Sequence, residues 1–202
     1  MKSKLTLILV ALMGLGSAVL AGDTYNFDVN HSNIGFSVRH MMLATVPGKF
    51  TEFTGTIVYD EQDVTKSSIN VTIDAASINT NNDRRDNHLR SADFFDVENH
   101  PEITFTSKAV KKTADGFVAV GDLTIRGVTK EVNLPFQILG TVIDTRGNKR
   151  IGAEATLTIN RQDFNVSWSK SLDNGSLVAS DEVKISIAVE AIKEKDDDQK
   201  KS

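Results

Sequence analysis

Apolar and polar residues alternate over short runs through most of this chain, the period-two rhythm of strands that bury one face. From Ser32 to His40, Ile34, Phe36 and Val38 fall on one side, while Asn33, Ser37 and Arg39 fall on the other. The same rhythm groups Ile69, Val71 and Ile73; Ile103 and Phe105; Ile151, Ala153, Ala155, Leu157 and Ile159; and Val183, Ile185, Ile187 and Val189. Roughly eight to ten short strands of this kind make two architectures economical, a closed up-and-down barrel or a two-sheet sandwich.

Gly48, Gly55, Gly116, Gly121, Gly127, Gly140 and Gly147 punctuate the runs and are expected at turns, bulges and bends. Asp115-Gly116 and Arg126-Gly127 read as hairpin turns, and Asp144 to Asn148 as a longer one. Glycines spread in this way favour a sheet that curls and closes. The expectation is an all-β antiparallel barrel able to hold one elongated apolar ligand.

One stretch breaks the rhythm. Thr80 to Asp83 has the Ser/Thr-x-x-Asp spacing of a helix cap, and DRRDNHLRSADFF after it predicts a short helix anchored by Leu89, Phe94 and Phe95.

At the start, Lys2 and Lys4 precede an apolar run from Leu5 to Val19, followed by small residues, as in a secretory signal cleaved after Ala21, with a cut after Ala18 as the weaker alternative. The run is shorter than the roughly 20 residues of a spanning helix, so stable membrane insertion is not expected. The division is then a signal segment over 1–21, one domain over 22–193 and a polar tail over 194–202. Losing the two lysines moves the formal charge from −4 to −6, a surface that repels nucleic acid and anionic lipid. Cysteine is absent, which removes disulfides and lipid anchoring and leaves the core to hold the fold. The sequons at Asn70, Asn165 and Asn174 read as ordinary surface triplets.

Three segments, YNFDVNHSNIGFSVRHMMLATVPGKF (25–50), NHLRSADFFDVENHPEITFTS (87–107) and GDLTIRGVTKEV (121–132), resemble the YceI-like family in order and spacing. The resemblance spans nearly all of the chain after residue 21. It implies an extended lipocalin-like antiparallel barrel with one or two short helices, exported to the periplasm, which holds a polyisoprenoid, quinone or similar long-chain amphiphile. It implies no catalysis and no cofactor beyond that ligand.

The residues agree that chemistry is not the purpose. No Gly-x-Ser-x-Gly elbow, His-Glu-x-x-His pair, cysteine nucleophile or phosphate-cradling glycine loop is present. The four histidines, His31, His40, His88 and His100, match no standard metal spacing, and hydrogen-bonding roles at turns and in the helix are favoured over ligation. His40 continues the apolar face of Ile34, Phe36 and Val38, so Arg39, His40, Arg85 and His88 are candidates to receive a ligand's polar head; pairing of Arg39 with an outer carboxylate is an equal alternative. Ile34, Phe36, Val38, Phe50, Phe53, Ile57, Ile73, Phe105, Leu123, Phe136 and Trp168 are the expected apolar wall, each as apt for plain core packing as for ligand contact. A homodimer is compatible with this pattern. The rival readings are a filled-core interaction module and, behind it, an enzyme acting on a prenyl lipid.

Overall fold

The computed structural model describes residues 22–171 and 177–195. The signal segment over 1–21, the sequon asparagine at 174 and the tail from 196 onward lie outside the described residues.

Eleven strands form in chain order: β1 (Asp23–Phe27), β2 (Asn33–His40), β3 (Ala44–Phe50), β4 (Phe53–Tyr59), β5 (Ser68–Asp74), β6 (Ile78–Asn79), β7 (Glu102–Thr113), β8 (Gly116–Ile125), β9 (Val128–Ile143), β10 (Lys149–Asn160) and β11 (Ala179–Lys193). The first six pair up end to end. Both β1 and β2 lie along β11, with Phe27 opposite Ala191 and Asn33 opposite Ala188, so the turn Val29–His31 only interrupts one long strand. In the same way β3 and β4 run along β2 and β1, and β5 and β6 run along β4 and β3. The wall therefore has eight antiparallel strands in sequence order, and β11 closes it on β1 and β2. Closure pairs the first wall strand with the last, and this up-and-down, lipocalin-like barrel resolves the choice between barrel and sandwich.

Two hairpin turns form where their chemistry predicts, and the third falls one residue early, on Ala114 and Asp115, with Gly116 already paired to Thr113 as the first residue of β8. Arg126 and Gly127 both take positive φ, 47° and 72°, the two-residue turn whose twist matches the flanking strands. Asp144 organises the 144–148 turn by accepting from the backbone N–H groups of Arg146 and Asn148, both at 2.9 Å. Gly116, Gly127, Gly140 and Gly147 have positive φ, and Gly121 stands opposite the bulge between Ser107 and Ala109, whereas Gly48 and Gly55 sit mid-strand with no register shift beside them.

Among the described residues there is one α-helix, α1 (Asp83–Arg90). Its cap is not Thr80 but Asn82, whose side chain accepts from the Arg85 N–H at 3.0 Å. Thr80 lies two residues too early, and its backbone N–H and hydroxyl both donate to the buried Asp86 carboxylate. The expected cap thus became an anchor that ties the helix to β6.

A candidate ligand-binding cavity

Alternation along the wall turns one apolar row of each strand inward. Ile34, Phe36 and Val38 of β2 face the interior with Val183, Ile185 and Ile187 of β11, their cross-strand partners. The rows do not meet in the middle. They surround a cavity of about 420 Å³, within the roughly 300–1,000 Å³ of sites that enclose a small molecule. Seven residues of β11, from Val183 to Val189, run beside it with alternate side chains facing in, about 20 Å of strand over six steps of about 3.3 Å.

Pairing between aromatic rings and glycines helps keep this interior open. Phe36 is directly opposite Gly48, and a Cβ at Gly48 would lie 2.3 Å from the Phe36 ring. Phe27 covers Gly55 in the same way at 2.4 Å, and Phe105 covers Gly121 at 2.8 Å. Each ring lies flat over a glycine instead of projecting into the hollow. On β10 the inward positions 153 and 155 are alanines, which keeps that wall thin at mid-height.

One end is plugged. Tyr25, Tyr59, Ile151 and Ala191 are buried below Ile57 and Val189, which also line the cavity floor. Tyr25 and Tyr59 meet edge to face at 6.2 Å and 72°. Burial pushes the Tyr25 phenol above its ordinary range, and Lys149 opposes that rise without completing a hydrogen bond of good geometry to the hydroxyl. Outside this plug Arg150 donates to Asp28 at 2.8 Å and Asp144 at 2.7 Å, and also reaches Glu190. Asp28, His31 and Glu190 are close enough to share a metal ion, but the Arg150 guanidinium already bonds both carboxylates and stands where the cation would be.

At the opposite end α1 and the segment after it lie over the opening. His88, Phe94 and Trp168 form a ring cluster with centroids 5.0–5.4 Å apart. Arg85 donates through Nε to the Thr80 hydroxyl at 2.7 Å and through Nη2 to the Thr80 carbonyl at 2.9 Å. Arg161, 5% exposed, donates to the Val166, Trp168 and Ser180 carbonyls and pairs with Asp181 at 2.7 Å. Burial pulls its guanidinium below the ordinary arginine range, with Asp181 opposing. Arg161 therefore holds the 166–168 loop, and with it Trp168, at the mouth. Arg39 and His40 end β2 here and are exposed.

Of the fifteen residues singled out in the sequence, fourteen border the cavity, with His40, Arg85 and His88 at the mouth and Arg39 beside them at an exposed position that alternates outward. Phe53 is the exception. It opens β4 and is 8% exposed, packed in the same cluster as Ala75 and Ile78 without reaching the cavity. Sequence reasoning missed Arg161, since nothing in Asn160-Arg161-Gln162 marks an arginine that will be buried. Leu89, Phe94 and Phe95 were read as helix anchors and prove to line the cavity as well. Glu154 borders the cavity by its backbone position, but it alternates with Ala153 and Ala155 and is exposed, so the carboxylate turns outward. The mouth carries the polar groups, among them Arg85 and the Arg161–Asp181 pair, and the wall below it is almost all hydrocarbon.

A family model for the YceI-like domain matches residues 25–191. Protein YceI of Escherichia coli O157:H7 is 40% identical over 195 residues, 96% of this chain and 99% of that protein. The crystal structure of Burkholderia cenocepacia BcnA aligns with a TM-score of 0.71 at 25% identity, covering 81% of this chain and 98% of that one. A polyisoprenoid binding domain from Saccharophagus degradans, 18% identical, shares the fold with a TM-score of 0.60 over 84% of this chain and 98% of its own.

Proposed function

This chain belongs to the YceI-like family, and from that premise we propose that it is a carrier that holds one long-chain amphiphile of isoprenoid type, a polyprenyl lipid or quinone, inside the barrel. The observation that carries the reading is the cavity itself: apolar along its length, plugged at one end and edged by polar groups at the other. A ligand enters tail first, the tail runs toward Ile57 and Val189, and the head stays beside Arg39, His40, Arg85 and His88. The polyisoprenoid binding named for the Saccharophagus degradans domain supports the same class of cargo.

The energetics suit a carrier. Each buried methylene contributes about 0.8 kcal/mol, so a long tail supplies ample affinity even after the cost of ordering it. Tails differing by one methylene separate by only about 1 to 3 kcal/mol, so selectivity rests on length and head group. No step of this function requires a reaction, and the mouth arginines Arg85 and Arg161 are engaged in holding backbone carbonyls. The hollow interior weighs against a filled-core interaction module. We place the carrier in the periplasm, delivered by the 1–21 segment; no helix among the described residues is long and apolar enough to cross a membrane.

Trp168, the sole tryptophan, lines the cavity and reports on occupancy. Titrating delipidated protein with a long-chain polyprenol should change its emission and saturate at one ligand per barrel. A flat titration would contradict the proposal.

A further inference from the structure

The hairpin between β2 and β3 projects from the open end of the barrel, and its tip is built against ordinary turn chemistry. His40 to Leu43 form a tight turn closed by the Leu43 N–H to the His40 carbonyl at 3.0 Å. Met41 and Met42 take φ of 51° and 60°, left-handed backbone that such turns normally give to Asn and Gly. The result is a strained tip that exposes Met42 by 61% and Leu43 by 84%. Apolar side chains at an exposed turn need a reason beyond folding.

The surroundings supply one. The overall charge is negative, yet the hairpin from Ser37 to Val46 holds Arg39 and no carboxylate, and Phe164 to Ser171 holds Lys170 and none, while Asp181, at the start of β11 beside them, is taken up by Arg161 and Glu182 follows it. Val178 joins the two segments, its carbonyl accepting from the Met41 N–H and its N–H donating to the Lys170 carbonyl. The cavity opens beside them, lined by Val38, Val46 and Val178. An apolar tip flanked by Arg39 and Lys170 at the cavity mouth fits an anionic bilayer surface, with the side chains in the acyl boundary and the cations at the head groups.

We propose that Met41, Met42 and Leu43 dock the mouth of the barrel on an anionic lipid bilayer, so that the cargo passes between membrane and cavity without crossing water. The proposal rests on the carrier reading and names the membrane as its loading partner.

Flotation of the full protein with vesicles tests it. Wild type should rise with vesicles of phosphatidylglycerol and phosphatidylcholine in equal parts, and less with phosphatidylcholine alone. In the double variant Met42→Asp/Leu43→Asp, binding to the mixed vesicles should fall by about tenfold or more, the scale expected for losing buried apolar side chains. Peroxide gives an independent arm that leaves the sequence unchanged: from Gly22 onward Met41 and Met42 are the only methionines, and their sulfoxides should abolish flotation as the aspartates do. A double variant or oxidised protein that floats like wild type, or wild type that binds neither vesicle, overturns the docking. Polyprenol titration of Trp168 on the same samples separates the two ideas. Unchanged saturation alongside lost flotation supports docking, whereas loss of saturation in wild type sinks the carrier reading whatever the vesicles do.

Discussion

Whether this barrel is hollow is decided by pairs of residues. Phe36 lies over Gly48 because the two are cross-strand partners, and register is what a sequence read one strand at a time does not give. Alternation assigned Phe36 to the inner face correctly but could not say whether its ring would fill the centre or lie along the wall. The glycine pattern points to bends at Gly48 and Gly55, whereas both leave room for a ring; Gly121 does so as well, opposite a bulge. Gly48→Val tests this directly. The ring must lift from the wall into the hollow or shift the backbone, at a cost of about 1–3 kcal/mol, the usual penalty of overpacking. Urea denaturation should show that loss, and polyprenol binding should weaken with it. Full stability and full binding in this variant would mean that the glycine is not what makes space for Phe36.

Among the elements, β10 was the most legible, since its inward row from Ile151 to Ile159 followed strict alternation into the structure. The cap of α1 was the least legible. Thr80 and Asn82 both have capping side chains, and the burial of Asp86, which claims Thr80, exists only once the helix has docked. The inward alanines of β10 give a test that distinguishes a hollow from a core. Ala155 stands opposite Phe136 and Ile187, and enlarging such a residue in a packed core destabilises by about 1–3 kcal/mol. Across an open cavity the added ring finds space. Ala155→Phe should therefore keep or raise Tm while lowering ligand occupancy several-fold, measured by melting and by Trp168 titration. A sharp fall in Tm would indicate that the interior is filled.

At the scale of the molecule, one end of the barrel is a packed plug and the other an opening, an asymmetry that composition and periodicity do not encode. The plug is fastened outside by Arg150. His31 and then Arg150 hold the Asp28 carboxyl below its ordinary range, and Arg150 holds Asp144 well below it. Carboxyls with lowered folded-state values stabilise the fold fully above the unfolded value of about 4 and lose that contribution as pH falls through the folded values. Arg150→Met should lower stability at neutral pH and flatten the acid limb, so that the variant and wild-type curves converge below about pH 4. Parallel curves across the whole range would show that the cluster contributes nothing to closing this end.

What occupies the cavity of about 420 Å³ decides whether this protein is a carrier. Native mass spectrometry of the protein taken from its own cell envelope, followed by organic extraction, reads that occupant without any choice of probe. The expected result is one added mass per chain, released into solvent and identified as an amphiphile with a long unsaturated tail. Protein that arrives from the envelope with its bare polypeptide mass, and yields no lipid on extraction, would contradict it.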